Sequence, residues 1–271
     1  MRSPLIILYV SVVFSLSLSA QNPRMKSAEG MALGISAPEQ IENFMYVVPG
    51  VGSSARDLLE QQSLKPYLMP VRKTGFRGND LAYAAASCLE YYVNLGRNYK
   101  INLSPDFITL NLPGNGKNSS AKEVLGLLAE QGTVNAAIVP YDAGELTGAV
   151  FSTPKYDVVN YLHIFTSLTR DRQRVFEAKK ALMKGNPVLV EIATDGSLQN
   201  QVGTRYLKSV PSGSTMNSLL VVGYDENEEA FELMSTWGSA WGNNGYVFMK
   251  YDDFGKLAVN GYVLLPEEKY P

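Results

Sequence analysis

The 271-residue sequence predicts an α+β fold, helix-rich in its first half and strand-rich in its second. Two observations carry that prediction. Leu81, Ala84, Ala85, Cys88, Leu89, Tyr92 and Leu95 recur at three- and four-residue spacing, the period of a helix with an apolar face. From Pro187 onward the apolar residues come instead in short runs bounded by turn residues, the texture of strands. Composition fits a globular chain, 45% hydrophobic and 18% charged. The length suits one large domain or two joined halves.

The chain opens on a targeting segment. Arg2 precedes an apolar run from Pro4 to Leu18, and Leu18-Ser19-Ala20 supplies small residues at the spacing a signal peptidase reads. Cleavage near Ala20 is expected, placing the chain outside the cell or in the periplasm. The run is short for a membrane span of ~20 residues, and no membrane partner is expected after cleavage. Residues 21–53 hold Pro23, Pro38, Pro49 and four glycines, and read as an irregular arm or linker on the surface.

Residues 57–64 are expected as a short helix and 66–71 as an extended entry strand. The helix at 80–95 stops at Gly96. Ser120 and Glu123 form a capping-box pair heading a second helix at 121–131. A third covers 171–184. Strands are expected at 187–193, 219–224, 230–234, 245–251 and 261–265, the second and third joined by a turn at 225–228. Residues 160–165 around His163 also alternate like a strand.

Net charge is −2, from 24 basic and 26 acidic residues without a long run of either sign, so no nucleic-acid partner is expected. Cys88 is the one cysteine and His163 the one histidine. No intramolecular disulfide can form, and a tetrahedral metal set is out of reach, so no metal or cofactor is expected.

Ser235-Thr236-Trp237-Gly238-Ser239-Ala240-Trp241-Gly242-Asn243-Asn244-Gly245-Tyr246 is similar to the NSWGxxWGxxGY stretch of papain-like cysteine peptidases. The segment from Asn217 to Asp225 resembles the strand that carries that family's histidine. Gly78-Asn79-Asp80-Leu81-Ala82-Tyr83-Ala84 resembles the turn where its nucleophilic cysteine begins a helix. Weaker echoes lie at Leu103-Ser104-Pro105-Asp106-Phe107, at Gly132 with Pro140-Tyr141, and at Gly185-Asn186-Pro187-Val188. The resemblance covers residues 54–265 and implies two lobes: a helical one at about 54–150 and a β-barrel-like one at about 151–265. The resemblance also implies a peptide groove between them, and 266–271 is expected as a tail.

In that family a thiolate attacks, a histidine moves protons, an asparagine orients it and a glutamine helps bind the oxyanion. Matched by position, Asp80 stands in the thiol's place, Asn217 in the histidine's, Ser235 in the asparagine's and Thr74 in the glutamine's. The resemblance therefore implies a degenerate site. The chain is expected not to be an enzyme but a pseudopeptidase holding an extended peptide or protein segment, with Asn79, Asn118, Ser119, Trp237 and Trp241 along the groove. A peptidase or other hydrolase working by a different mechanism stays open, either through the Asp80 carboxylate or through Cys88 meeting His163.

Each position also has a plainer expectation. Asp80 is read as a helix N-cap, and Asn217 as its hydrogen-bond partner or a water-facing side chain. Ser235 is read as a strand residue, Cys88 as inert core and His163 as structural or surface. Trp237 and Trp241 pack the barrel edge, wall the groove, or do both.

Overall fold

The computed structural model describes residues 23–51, 60–208 and 210–267. The expected signal peptide, residues 57–59 of the expected short helix, and residues 268–271 of the tail lie outside the described residues.

Seven strands make one antiparallel sheet: β1 (Gln61–Ser63), β2 (Val158–Phe165), β3 (Val188–Thr194), β4 (Thr215–Asp225), β5 (Ala230–Met234), β6 (Tyr246–Lys250) and β7 (Ala258–Pro266). Their order is β2-β7-β3-β4-β5-β6, with β1 pairing β4 off this path. The sheet is open, which corrects the expected barrel. Closure would need β2 and β6 to meet, and loop backbone occupies both outer edges. On β2, Ile35 N donates to Tyr161 O (3.0 Å) and His163 N to Ile35 O (2.8 Å). On β6, Phe248 N donates to Arg205 O and Leu207 N to Phe248 O, both at 2.8 Å. Edges covered in this way no longer offer a template for further pairing.

Among the described residues seven helices accompany the sheet: α1 (Pro23–Ala28), α2 (Pro38–Phe44), α3 (Asp80–Asn94), α4 (Pro105–Asn111), α5 (Ala121–Glu130), α6 (Asp171–Met183) and α7 (Tyr251–Leu257). The expected capping box heads α5, with Ser120 and Glu123 each bonded to the other's backbone N–H. The amphipathic reading of α3 falls short, because every residue from Leu81 to Asn94 is buried. It packs on α4 and α5 on one side and on β4 on the other. Its polar residues find partners there: Tyr91 OH donates to Gly185 O (2.7 Å), and Asn94 exchanges two hydrogen bonds with Ile101 backbone (2.8 Å each). Alanines at its head let these neighbours approach closely, so one apolar core runs from α3 and α5 into the sheet.

Several local expectations are corrected. The arm is ordered over its described part: α1 and α2 form, and Ile35, Ile41, Met45 and Val48 are buried against the domain. Pro38 opens α2, where a missing N–H costs nothing, rather than marking irregular chain. Residues 61–63 form a strand instead of a helix, and Lys65–Tyr67 is a 3₁₀ turn where a strand was expected. α4 and α7 had no counterpart in the sequence reading. α4 begins at the Ser104 cap, whose Oγ accepts from Phe107 N at 3.0 Å, followed by Pro105.

Candidate functional site

The site forms where the head of α3 meets two chain segments running antiparallel. Gly238 N donates to Arg72 O (3.0 Å), and Lys73 pairs with Trp237. Thr74 donates to Thr236 O twice, from N (2.7 Å) and from Oγ1 (2.8 Å). Both donors of Thr74 are thereby committed to one carbonyl, and its side chain is a clamp between the two segments.

Asn79, not Asp80, caps the helix, correcting the sequence reading. Asn79 is extended (φ −117°, ψ 123°) and its Oδ1 accepts from Ala82 N at 3.0 Å. Its amide also donates to Gly116 O, tying the loop that follows α4 to the head of α3. Asp80 is already helical, so its side chain does not turn back onto the helix end. It reaches across to accept from Trp237 Nε1 (2.9 Å) and Thr236 Oγ1 (3.3 Å). The carboxylate and the indole are both half-buried.

Asn217 is buried on β4 and does not bond Asp80, a second correction. Its Nδ2 donates to Thr194 Oγ1 (3.0 Å) and Thr215 O (3.2 Å), which turns the amide toward the neighbouring strand, while its Oδ1 has no protein partner. Ser235 lies just past the end of β5 rather than within a strand, and its Oγ accepts from Trp237 N at 3.3 Å. Trp241 is buried, 2% exposed, and its Nε1 donates to Leu198 O at 2.8 Å. The Trp237 and Trp241 rings meet edge to face, with centroids 5.2 Å apart. Trp241 supports Trp237 from behind, and only Trp237 reaches the site surface. Asn118 is exposed, and Ser119 N donates to Gly116 O at 3.2 Å on the loop that Asn79 anchors.

The structure does not bring Cys88 and His163 into one catalytic pair. Cys88 is fully buried in α3, and burial pushes its thiol well above the usual range, which disfavours the thiolate. The His163 ring stacks on Tyr262 (centroids 4.6 Å apart), and its Nε2 lies 3.1 Å from Asn260 Oδ1. Among the described residues no three His, Cys, Asp or Glu gather as a metal site.

Three features escaped the sequence reading. Thr236 organises the site with both its hydroxyl and its carbonyl, although it stood unremarked beside Trp237. Tyr83 OH donates to Asp106 Oδ2 at 2.8 Å, which also accepts from Asp142 N at 2.9 Å, beneath the loop preceding α3. Burial raises the Asp106 carboxyl above its ordinary range even though both hydrogen bonds pull it down. Phe76, in that same loop, is 97% exposed. A lone aromatic between Gly75 and Arg77 was its only sequence signal.

This arrangement belongs to a known family. The profile of the papain family cysteine proteases matches residues 61–266, and the chain is a member of that family. Among curated proteins, it is similar to gamete and mating-type specific protein A of Dictyostelium discoideum, 26% identical over 204 residues, covering 72% of this chain and 44% of that protein. It is also similar to ananain of Ananas comosus, 22% identical over 205 residues, covering 72% of this chain and 56% of that one. The chain thus spans about half the length of these curated relatives. Among solved structures it shares the fold of xylellain, a cysteine protease from Xylella fastidiosa: TM-score 0.65 at 16% identity, over 83% of this chain and 97% of that one. Bromelain from Ananas comosus gives TM-score 0.61 at 18% identity, over 77% and 99%.

The family match corrects the expectation that the chain is not an enzyme. That expectation rested on four side chains, whereas the match spans the scaffold, and the family is one of proteases. Nothing in these comparisons marks the chain as inactive.

Proposed function

We propose that this chain is a papain-family domain that takes an extended peptide or protein segment at the Asp80–Trp237 site, on a protein exported through its first twenty residues. One observation carries the reading. Asp80, Thr236 and Trp237 form a hydrogen-bonded cluster at the head of a fully packed helix, with Thr236 buried and Asp80 and Trp237 half-buried. An indole fixed by its N–H to Asp80 and backed by a second indole offers a peptide apolar area in a set orientation. Asn79 ties the head of α3 to the loop at Gly116, and Asn118 and Ser119 on that loop are the positions where the bound segment would continue. The test is titration of purified mature chain with labelled octapeptides, followed by fluorescence polarisation. Saturable binding lost in Trp237→Ala supports the reading, and absence of saturable binding refutes it. Export is tested by N-terminal sequencing of the mature chain, which should begin at Gln21.

Hydrolysis of the bound segment is the second reading, favoured by the family match itself. The available groups define how it would be recognised. A thiol route needs Cys88 to reach the peptide from the core, so turnover would be lost in Cys88→Ala. A carboxylate route needs Asp80, so turnover would be lost in Asp80→Asn and survive in Cys88→Ala.

A further inference from the structure

The loop from Lys73 to Arg77 carries a surface that nothing above assigns. Phe76 stands almost fully in solvent, in a loop held on every side. Thr74 is clamped to Thr236, Gly78 N donates to Gly75 O (3.0 Å), and Gly75 N donates to Tyr83 OH (3.4 Å). Both glycines are packed to the limit: a Cβ on Gly75 would lie 2.7 Å from Asp142 Oδ1, and one on Gly78 2.7 Å from Thr74 and Tyr83. Tyr83 is in turn fixed by the buried Asp106. The backbone on both sides of Phe76 is therefore held, and the ring stands out from it into solvent.

Charge says what this ring is presented to. Lys73 and Arg77 flank it, both exposed, and neither side chain forms an ion pair among the described residues. The carboxylate of Asp80 is engaged by Trp237 and Thr236, and that of Asp142 faces Gly75 and the Arg77 backbone N–H. An exposed apolar ring with an exposed lysine three residues before it and an exposed arginine directly after it suits a segment offering an apolar side chain next to a carboxylate.

We infer that the Phe76 loop selects, among extended peptides, those carrying a large apolar residue adjacent to Asp or Glu. This rests on the peptide-binding reading and adds its specificity. Binding then has two separable parts. Contact with Phe76 contributes affinity through buried apolar area. Lys73 and Arg77 set the preference for acid over base, a contribution that salt weakens.

Four fluorescein-labelled octapeptides test the inference, differing only in a central Phe-Glu, Phe-Lys, Ser-Glu or Ser-Lys pair. Phe-Glu should bind about tenfold more tightly than Ser-Glu or Phe-Lys. Phe76→Ser should erase the Phe-over-Ser preference while leaving the Glu-over-Lys preference. The double variant Lys73→Glu with Arg77→Glu should invert the Glu-over-Lys preference while leaving that for Phe. All three positions are exposed, and circular dichroism confirms folding of each variant. Equal affinity for all four peptides, or variants that weaken all four alike, overturns the inference while leaving peptide binding in place. Failure of every peptide to bind overturns both.

Discussion

At the residue scale, the site depends on a change of partner by one carboxylate. Asp80 does not cap its own helix; it holds Trp237 and Thr236 across the junction between the helices and the sheet. Asp80→Ala strips an acceptor from a half-buried indole N–H, a loss of about 1–3 kcal/mol. Urea unfolding should register that loss, together with a changed emission from Trp237, one of two tryptophans in the chain. Unchanged stability and emission would show that the contact is idle. Cys88 gives a second residue-scale test. Enclosed in α3, it should resist iodoacetamide in the native protein and react once the chain is unfolded; fast native labelling would contradict its placement. The residue types at Thr74, Asp80, Asn217 and Ser235 were legible in the sequence, but their partners were not. Whether Asp80 or Asn79 caps α3 depends on one ψ angle, and where the Asn217 amide turns depends on Thr194, 23 residues away on the adjoining strand.

At the element scale, regular periodicity gave reliable boundaries and short elements did not. α3, α5 and α6 lie within one residue of their expected limits, because a buried face repeated over several turns over-determines them. β4 and β7 begin earlier than expected, at Thr215 and Ala258, because pairing with β3 carries them beyond their apolar runs. β1, α4, α7 and the arm helices are three to seven residues long in a turn-rich context, and tertiary contacts decide them. The arm is the clearest case, since Ile35 is ordered by the free edge of β2. The capping box of α5 is local chemistry on an exposed helix start, so Ser120→Ala should cost about 1 kcal/mol in thermal or urea unfolding. The Trp-Gly repeat is constrained more severely. Gly242 has φ +56°, and a Cβ there would overlap the Tyr246 carbonyl oxygen and the Val247 side chain. Gly242→Ala should therefore destabilise more than Ser120→Ala does, by at least ~2 kcal/mol from the left-handed backbone and the overlap together. An equal or smaller loss would mean that the turn relaxes.

At the scale of the whole molecule, the papain-like scaffold is one continuous core in which the sheet stays open and loop segments seal its edges. Two acids are buried in its helical part. Burial raises the carboxyl of Asp106, and also that of Glu90 even though the Arg72 guanidinium and Leu103 N–H act in the opposite direction. A carboxyl raised in the folded state binds its proton more tightly there than in the unfolded chain. Its contribution to stability is fully present below the unfolded value and lost as pH rises through the raised one. Folding stability should accordingly increase as pH falls from neutrality toward the ordinary carboxylate range. Asp106→Asn should flatten that slope in urea titrations at successive pH values, and an unaltered slope would contradict it. The fold class was legible because the Trp-Gly repeat, the Val-Gly-Tyr strand and the Ala-rich helix occur in one order. Whether the chain is an enzyme is not legible from the four side chains at 74, 80, 217 and 235, because the scaffold around them belongs to a protease family. What the Asp80–Trp237 site does is tested most directly by Trp237 emission during titration with an extended octapeptide. A saturable change is expected, present in the native chain and absent in Trp237→Phe, with the buried Trp241 unaffected. No saturable change, or one that persists in Trp237→Phe, would contradict it.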